Sequence, residues 1–567
     1  MRTRERENER QESEQKKDKG LKREPRLILF SVIPGLLGGV LLELGRILES
    51  GGSVAQAGMG SLLRALVWGA VLSALLHVLL SRTCLKEICA DGGKEIPVFR
   101  KKWFLITWLF LFVCWIPAFL AYYPTLWTYD ANMQIPALRG MAPTTHHPLL
   151  HTLFLETIVQ IGSRPGNYET GMALLSLIQM LLLSGMFAYG IEKARGWSCG
   201  RLCRGLMLCF FAFFPVHPIL SVSMTKDVLF SGLWLICLLL LYDMLDGPEK
   251  FFHSVKKQVV FLIFVCLMLS FRSNAIYAFA AAALLGVLVF HRKYRKRLAV
   301  LCLAGICLYG GFQSVLYYAM GAEDGEPQEA YCVPMQCLVG TALRHPELIP
   351  EDETGQLLMG VVPRDLFSEN LADNFAPHLA DPVKERWRRM DPEDFEAGEL
   401  IKTWISYGLK YPLDYIDIWG NLTLGAWYPF DTTHADIYEG ERQGYLLTDF
   451  QKNSAMNMER PASKWPWMES LYEKIATENI HQKIPVISLL FAPATYSWIT
   501  FFCILQAVFR KKYGELLPLG MLFFYWGTIM LGPAALVRYL YPLIVSAPFM
   551  LGRIRRVRTC RFQAEAE

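Results

Sequence analysis

The sequence predicts an all-α polytopic membrane protein with about 12 transmembrane helices, and three observations lead to this prediction. Hydrophobic residues make up 53% of the 567, and the mean hydropathy is +0.26, which excludes an ordinary soluble enzyme. Apolar runs near the roughly 20 residues that span a hydrocarbon core recur along the chain. Every second loop between these runs is rich in lysine and arginine.

The predicted spans are the apolar runs themselves. They lie at residues 27–48, 62–81, 103–121, 171–191, 204–222, 228–246, 258–271, 275–290, 298–320, 484–509, 514–531 and 536–552. The two runs on either side of Arg272 are short, since a crossing helix usually has roughly 17–25 residues. They are therefore predicted either as two short spans or as one broken or re-entrant element.

The charge of the loops predicts the orientation in the membrane. Lysine and arginine are concentrated in residues 1–26 and at 82–102, 193–204, 250–257, 291–297, 510–512 and 553–561. Cytoplasmic loops are the ones that carry such an excess. Both termini are then cytoplasmic in the plasma membrane, and the extracytoplasmic loops are 49–61, 122–170, 223–227, 272–274, 321–483 and 532–535.

This topology divides the chain into five parts. They are a disordered cytoplasmic tail (1–26), two N-terminal transmembrane helices (27–102), a membrane module (103–320) with a first external loop at 122–170, an extracytoplasmic domain (321–483), and three C-terminal helices with a short tail (484–567). The extracytoplasmic domain shows no clean strand alternation, so we expect it to be mostly helical.

Charge and cysteine usage fit this division. Region 321–483 carries 29 acidic against 14 basic residues, so the basic excess lies elsewhere and is explained by cytoplasmic loops facing anionic membrane lipids. Nucleic-acid binding therefore need not be invoked. Of the 14 cysteines, only Cys332 and Cys337 fall in external regions, and their spacing leaves open whether they form a disulfide.

Two acidic residues stand at the external ends of apolar runs. Asp130 follows the run 103–121 within the aromatic segment Tyr122–Asp130, and Asp227 opens the run 228–246. A carboxylate at the membrane boundary is costly unless a partner or a reaction uses it. Both are therefore candidate catalytic residues, although Asp227 could equally complement the dipole of a helix that starts beside it.

The first external loop carries further polar candidates, namely Gln134, His146 and His147. If a helix starts at His147, then His147 and His151 lie four residues apart on one face. That spacing can hold a metal, but no third ligand is evident nearby. Contact with an anionic substrate or polar anchoring at the membrane surface is the favoured interpretation, and no metal ligand is predicted.

Three cations are predicted at the same level of the membrane: Lys226, Arg272 and Arg538, the last of which is followed by Tyr539. An arginine at this depth needs an anionic partner. If that partner is Asp227 or Asp130, the arginine and the aspartate form a purely structural ion pair. A phosphate would suit the planar fork of arginine and the point charge of lysine equally well.

Four of these segments occur in an order that resembles the GT-C superfamily of integral-membrane glycosyltransferases, above all its bacterial, largely uncharacterised members and its aminoarabinose- and mannosyl-transferase branches. The segments are Tyr-Asp-Ala-Asn-Met-Gln (129–134), His-His-Pro-Leu-Leu (146–150), Thr-Lys-Asp-Val-Leu-Phe (225–230) and Arg-Tyr-Leu-Tyr-Pro (538–542). The resemblance covers the layout of 103–552 but only these short motifs in sequence.

The resemblance implies a GT-C-like fold and inverting transfer of a sugar from a polyprenyl-phosphate donor to an envelope glycan, lipid or protein acceptor on the outer face. Asp130 would be the base, and Asp227 would position the acceptor or hold the cations. Substrate would be bound by Lys226, Arg272, Arg538, Tyr539, His146, His147 and Gln134. Asp130 is not part of an Asp-x-Asp pair, so the resemblance leaves open whether a divalent cation is a cofactor.

Two other classes of function remain as alternatives. A transporter or flippase would use the same charges as a route for a charged or lipid-linked substrate, although transporters place their sites near mid-depth. A non-catalytic membrane protein would use the external domain to bind a partner, and the charges would then be structural pairs.

Overall fold

The computed structural model describes residues 24–81, 99–128, 134–135, 140–164, 167–197, 199–348, 375–387, 395–431, 442–443, 448–449, 452–453 and 458–563. Over these residues the chain is almost entirely helical, which confirms the prediction of an all-α protein. Apart from isolated bridges, the β structure described there is two antiparallel two-residue ladders: β1 (Arg442–Gln443) with β2 (Thr448–Asp449), and β3 (Lys452–Asn453) with β4 (Met458–Glu459).

Twelve α-helices lie within the described part of the N-terminal 320 residues. They are α1 (Glu24–Glu49), α2 (Met59–Leu80), α3 (Lys101–Ala121), α4 (Leu149–Gly162), α5 (Glu169–Ala194), α6 (Arg201–Phe213), α7 (Val216–Ser221), α8 (Lys226–Asp246), α9 (Pro248–Phe252), α10 (Val255–Phe271), α11 (Ala275–Val289) and α12 (Arg295–Met320).

The remaining helices divide into an extramembrane-type set and a final apolar set. The first set is α13 (Cys332–Arg344), α14 (Asp381–Trp387), α15 (Ala397–Lys410), α16 (Pro412–Leu422), α17 (Leu424–Trp427) and α18 (Pro466–Ala476). The second set is α19 (Pro485–Phe491), α20 (Pro493–Phe509), α21 (Leu516–Ile529) and α22 (Val537–Gln563).

The long apolar helices make this a multi-pass membrane protein. Within the described residues, six helices are long and apolar enough to cross a membrane: α1, α2, α3, α5, α8 and α12. The number becomes seven if α19 and α20, which meet at an angle of 76°, are counted as one span. Proline explains this break, because Pro493 at the start of α20 has no N–H to continue the helix of α19.

The predicted span 204–222, like 484–509, is broken in the structure and is not a single straight helix. The run 204–222 is divided at Pro215 into α6 and α7, since a proline cannot continue the hydrogen-bond ladder of the helix before it. The runs around Arg272 form two separate helices, α10 and α11, whose 17 and 15 residues are short for a straight crossing.

Helix α8 lies at the centre of the bundle. Of its 21 residues, 17 are buried, and it packs against α5, α10, α21 and α22. A helix that is apolar on every side is suited to such a position, because no face of it needs contact with water. The first turn of this central helix contains Asp227.

Helices α1 and α2 form a peripheral pair. Gly39 lies so close to α2 that a Cβ there would be 2.2 Å from the carbonyl oxygen of Ala65. Small residues at the interface of two membrane helices permit this close approach. The outward faces of both helices, including Leu37 and Leu63, are exposed, as expected for surfaces that contact lipid.

The helix ends fall into two groups, and we call the first the loop-rich end. Here the segment after α3 forms a parallel bridge between Leu126 and Ser223, and the backbone of Thr145 bonds to Glu323 at 2.9 Å. The Nε1 of Trp419 also donates to the carbonyl of Met530 at 2.8 Å. These contacts join segments that the charge pattern predicts to lie outside the cytoplasm.

The second group of helix ends is the basic end. Arg553 on α22 donates to Asp246 at the end of α8 at 2.8 Å and to Glu515 before α21 at 3.0 Å. Lys193 at the end of α5 pairs with Asp243. Arg553 and Lys193 belong to segments predicted to be cytoplasmic, and their partners Asp243, Asp246 and Glu515 lie near those ends of the predicted spans 228–246 and 514–531 that adjoin such segments.

The helices of region 321–483 have a small core of their own. Met335, Leu338 and Val339 of α13 pack with Trp387 of α14 and Leu400 of α15. Cys332 and Cys337 both lie on α13 as free thiols, so the disulfide that the sequence left open is not formed. Burial raises the pKa of each thiol to about 12, and both are therefore protonated at neutral pH.

The two groups of ends predict opposite accessibility for two exposed lysines. Lys402 lies on α15 at the loop-rich end, and Lys256 lies near the start of α10 at the basic end. In a background without reactive native cysteines, Lys402→Cys should react with a membrane-impermeant maleimide on intact cells, and Lys256→Cys should react only after permeabilisation. The reverse pattern, or equal labelling, would contradict the orientation.

Candidate functional site

The candidate site is built around the first turn of α8. Thr225 caps the helix, because its hydroxyl accepts from the backbone N–H of Asp227 at 3.5 Å and also lies 3.2 Å from the Asp227 Oδ2. The position gives Asp227 the favourable field of the helix N-terminus. The side chain is fully buried, so it also needs a cationic partner.

Arg272 supplies that partner. It follows the end of α10, and its Nη1 donates to the Oδ1 of Asp227. Its Nε donates to the side-chain oxygen of Asn274 at 3.0 Å, which fixes the plane of the guanidinium. Only 12% of the Arg272 side chain is exposed, so the pair is formed away from bulk water.

Three aromatic rings surround the Arg272 guanidinium. Its central carbon lies 4.6 Å from the centre of the Tyr539 ring and 5.9 Å from the rings of Phe230 and Tyr525. The electron-rich faces of such rings attract a cation and hold it without further carboxylates. The hydroxyl of Tyr525 donates to the backbone of Tyr539 at 2.8 Å, which joins α21 to the start of α22.

Arg538 is the second arginine of the cluster. Its Nε lies 4.0 Å from the Oδ2 of Asp227, and its Nη2 lies 3.3 Å from the hydroxyl of Tyr539. The side chain is 14% exposed, so it is mostly buried but still reaches the surface of the cluster. Asp227 thus contacts two guanidinium groups, one directly and one at the limit of an ion pair.

This geometry defines what the cluster can do chemically. Asp227 is buried and paired with Arg272, so it is suited to holding cations in place and poorly suited to taking a proton from a substrate. Two guanidinium groups at the ends of three helices are suited to binding an oxyanion, since each can donate in a planar fork. The structural pair considered from the sequence is therefore present between Asp227 and Arg272.

The histidines of the first external loop also lie at the loop-rich end, beside the arginine cluster. The helix expected at His147 begins instead at Leu149, because Pro148 takes the capping position and leaves His147 before the helix. The helical pair of His147 and His151 is therefore not formed. The His146 Nδ1 lies 3.5 Å from a carboxylate oxygen of Glu329, and the His146 and His147 rings are 4.5 Å apart.

His151 connects this region to the arginine cluster. Its ring lies 5.7 Å from the ring of Phe271, the residue that precedes Arg272, and α4 packs against α10. The first external loop thus lies beside the segment that carries Arg272. Among the described residues, no group of three or more histidine, cysteine, aspartate or glutamate side chains could hold a metal ion.

The remaining predicted residues differ in how much the structure describes. Gln134 is 1% exposed, and neither atom of its side-chain amide has a hydrogen-bond partner among the described residues. A buried polar group in that state costs about 1–3 kcal/mol, so a site of this kind is suited to a polar ligand. Lys226 is half-buried as the first residue of α8. Asp130 lies outside the described residues.

Sequence reasoning missed several residues of the site. Phe230 and Tyr525 lie inside apolar runs, where nothing separates a ring that packs on an arginine from one that packs on leucine. Asn274 follows Arg272 by two residues, and its Nδ2 lies 3.5 Å from the Thr528 hydroxyl of α21. The only available signal was the polar triplet Arg-Ser-Asn between two apolar runs.

The comparisons with known proteins support a class and a family. The long apolar helices and the helical fold define a multi-pass membrane protein. A family model described as a family of unknown function (DUF6020) matches residues 141–566, which is most of the chain, and the chain belongs to that family. No curated protein and no solved structure matches this chain.

The buried pair predicts a measurable coupling free energy. Asp227→Asn should lower the free energy of unfolding by about 3–5 kcal/mol, because Arg272 would remain buried beside a neutral group. Arg272→Met should have a comparable effect. The double variant should lose less than the sum of the two, by about 0.5–3 kcal/mol, in reversible unfolding in detergent.

The exposed pair of Lys402 and Glu399 provides the control, since their side chains are 76% and 50% exposed. Glu399→Gln should change the stability by about 0–1 kcal/mol. Strict additivity of Asp227→Asn and Arg272→Met would show that the two residues do not stabilise each other.

Proposed function

We propose that this protein is a membrane glycosyltransferase that transfers a sugar from a polyprenyl-phosphate donor to an acceptor at the loop-rich end. One observation carries the proposal: Asp227, Arg272, Arg538 and Tyr539, which come from three distant parts of the sequence, converge in one mostly buried cluster. The polyprenyl tail of such a donor would lie in the bilayer. Its phosphate would then be at the level of helix ends, where these arginines are found.

The proposed reaction displaces the donor phosphate. An acceptor hydroxyl or amine attacks the anomeric carbon, and the bond between that carbon and the phosphate oxygen breaks. The bonding electrons go to the phosphate oxygen, and the proton of the acceptor goes to a carboxylate. Asp130 is proposed as this base, since it follows α3 at the boundary of the membrane.

The arginines would stabilise the departing phosphate. Removal of one such donor from a partly dry site typically costs about 2.7–4 kcal/mol in the transition state. Arg538 and Lys226 are proposed as the direct phosphate contacts, and Arg272, which is bonded to Asp227 and Asn274, is proposed to hold the cluster together. Asp227 is then a positioning residue that orients the arginines.

The first external loop would bind the sugar or the acceptor. The buried amide of Gln134 has donors and acceptors that no other described residue engages, and sugar hydroxyls are recognised by such groups. His146 and His147 lie in the same loop and would contribute polar contacts.

The finer architecture belongs to the same proposal. We infer a GT-C-like arrangement in which the 12 apolar segments all cross the plasma membrane, with the shorter and broken helices completing the set of long ones. The termini would be cytoplasmic and region 321–483 extracytoplasmic. The position of the cluster at helix ends supports transfer over transport, because secondary transporters bind substrate near the bilayer midplane.

A transfer assay tests the proposal. Asp130→Asn should abolish transfer of labelled sugar from a polyprenyl-phosphate donor and leave expression, membrane insertion and donor binding unchanged, because it removes only the proton acceptor. The assay measures labelled product in proteoliposomes supplied with candidate acceptors from the cell envelope.

Lys402→Ala serves as the control for this assay, since its exposed side chain lies at the loop-rich end and pairs only with Glu399 in its described contacts. It should keep full activity. Wild-type transfer that survives unchanged in Asp130→Asn would remove Asp130 as the base, and movement of lipid-linked sugar across vesicles without transfer would favour a flippase.

A further inference from the structure

Helices α15 and α16 form a hairpin that exposes a stripe of apolar side chains in addition to those that pack in the core. The exposed fractions are 51% for Ile405 and 80% for Leu409 on α15, and 46% for Leu413 and 45% for Ile416 on α16. Trp419 continues the same stripe at 38%. Soluble surfaces rarely gather so many large apolar side chains in one place.

The polar side chains of α16 face inward instead. Arg344 of α13 donates to Asp414 at 2.9 Å and to Asp417 at 2.7 Å, and His345 lies 2.9 Å from the other oxygen of Asp414. Although burial raises the pKa of Asp414, the hydrogen bonds from Arg344 and His345 hold it below its ordinary value. Helix α16 therefore holds its two carboxylates against the protein together with the buried Ile418 and Leu422, and its outer face carries apolar side chains.

The hairpin is attached to the helix ends that define the edge of the membrane. Asp417 accepts from the backbone N–H of Val54 at 2.8 Å, in the connection between α1 and α2. Gly420 packs on Leu48 at the end of α1, and Trp419 donates to Met530 at the end of α21. The inward face of α16 thus lies directly on the ends of membrane-type helices.

Other large apolar side chains are exposed close in sequence to the connection that Asp417 contacts. Helix α2 begins five residues after Val54, and its Met59, Leu62 and Leu63 are 80%, 53% and 63% exposed. At the corner of the hairpin, the ammonium group of Lys410 lies 5.1 Å from the centre of the Tyr411 ring. Lysine and tyrosine at this level are typical anchors at a membrane interface.

From these contacts we infer that the α15–α16 hairpin (residues 397–422) is seated in the lipid leaflet at the loop-rich end, with Ile405, Leu409, Leu413 and Ile416 inserted among the acyl chains. The partner is the bilayer itself, because α16 packs on the ends of the membrane-type helices α1 and α21, and the exposed stripe is flanked by interfacial residues. A helix of this kind lies in the interface plane with its apolar face buried by about 5–10 Å.

Insertion of the hairpin into the leaflet would also orient the rest of region 321–483. Through Arg344 the hairpin is joined to α13, and through α13 to the core of region 321–483. The membrane would therefore hold that region in a fixed orientation over the helix ends. The inference depends on membrane insertion alone and is independent of the proposed transfer reaction.

Collision accessibility of nitroxide spin labels tests the inference in lipid nanodiscs. Leu409→Cys and Ile416→Cys should be reached several-fold more readily by oxygen, which partitions into lipid, than by a water-soluble nickel chelate. Lys402→Cys is the matched control, since it lies on the same helix towards its polar end and is 76% exposed. It should show the reverse preference.

Two outcomes would overturn the inference. A nickel accessibility at Leu409→Cys and Ile416→Cys equal to that at Lys402→Cys would place the hairpin in water. Exclusion of both reagents from these positions would show that protein covers the stripe, and dipolar broadening between labelled copies would identify that protein as a second copy of the chain. Monodisperse elution of each variant verifies that it is folded.

Discussion

The burial of one carboxylate, Asp227, in the first turn of the central helix constrains much of the architecture. A buried charge that lost its partner would destabilise the fold by several kcal/mol, so the cations must be held where they are. This requirement brings the end of α10, which carries Arg272, and the start of α22, which carries Arg538, to the start of α8. Three helices that are distant in sequence are thereby fixed at one level.

The opposite end of α8 has a matching constraint. Asp246 in its last turn pairs with Arg553, and Arg538 and Arg553 lie on the same helix, α22. The two aspartates are 19 positions apart on the helix, which corresponds to about 28 Å at 1.5 Å per residue. This length is close to the roughly 30 Å of a hydrocarbon core. The charged residues at the two ends of α8, and their partners on α22, are therefore about as far apart as the two surfaces of a hydrocarbon core.

The sequence predicted those features that depend on local composition. Apolar runs and alternating loop charge predicted the helices and the grouping of their ends, and the rule that a membrane-level arginine needs an anion predicted a partner for Arg272. What it could not provide were features set by tertiary packing. Tyr525 is one aromatic residue among many in its run until α21 is placed beside Arg272. The direction of the apolar stripe on α16 is likewise set by tertiary contacts, because the ion pairs of Arg344 with Asp414 and Asp417 turn the polar face of that helix inward.

Local backbone chemistry explains most of the other differences. Pro148 moved the start of α4 past His147, which removed the histidine pair that a helix two residues longer would have formed. Pro215 and Pro493 interrupted two runs whose hydropathy alone reads as continuous. Hydropathy averages over a window of residues, and it is therefore insensitive to the single residues that end helices.

The central claim is that the arginine cluster binds the phosphate of a lipid carrier, and equilibrium binding of polyprenyl phosphate without sugar tests it most directly. Hydrogen bonds to charged groups contribute about 1.5–3 kcal/mol, so Arg538→Ala should weaken binding in nanodiscs by roughly 10- to 150-fold. Arg553→Ala, at the basic end, should leave the affinity unchanged. Equal affinities for wild type and Arg538→Ala, or an equal loss in Arg553→Ala, would contradict the account.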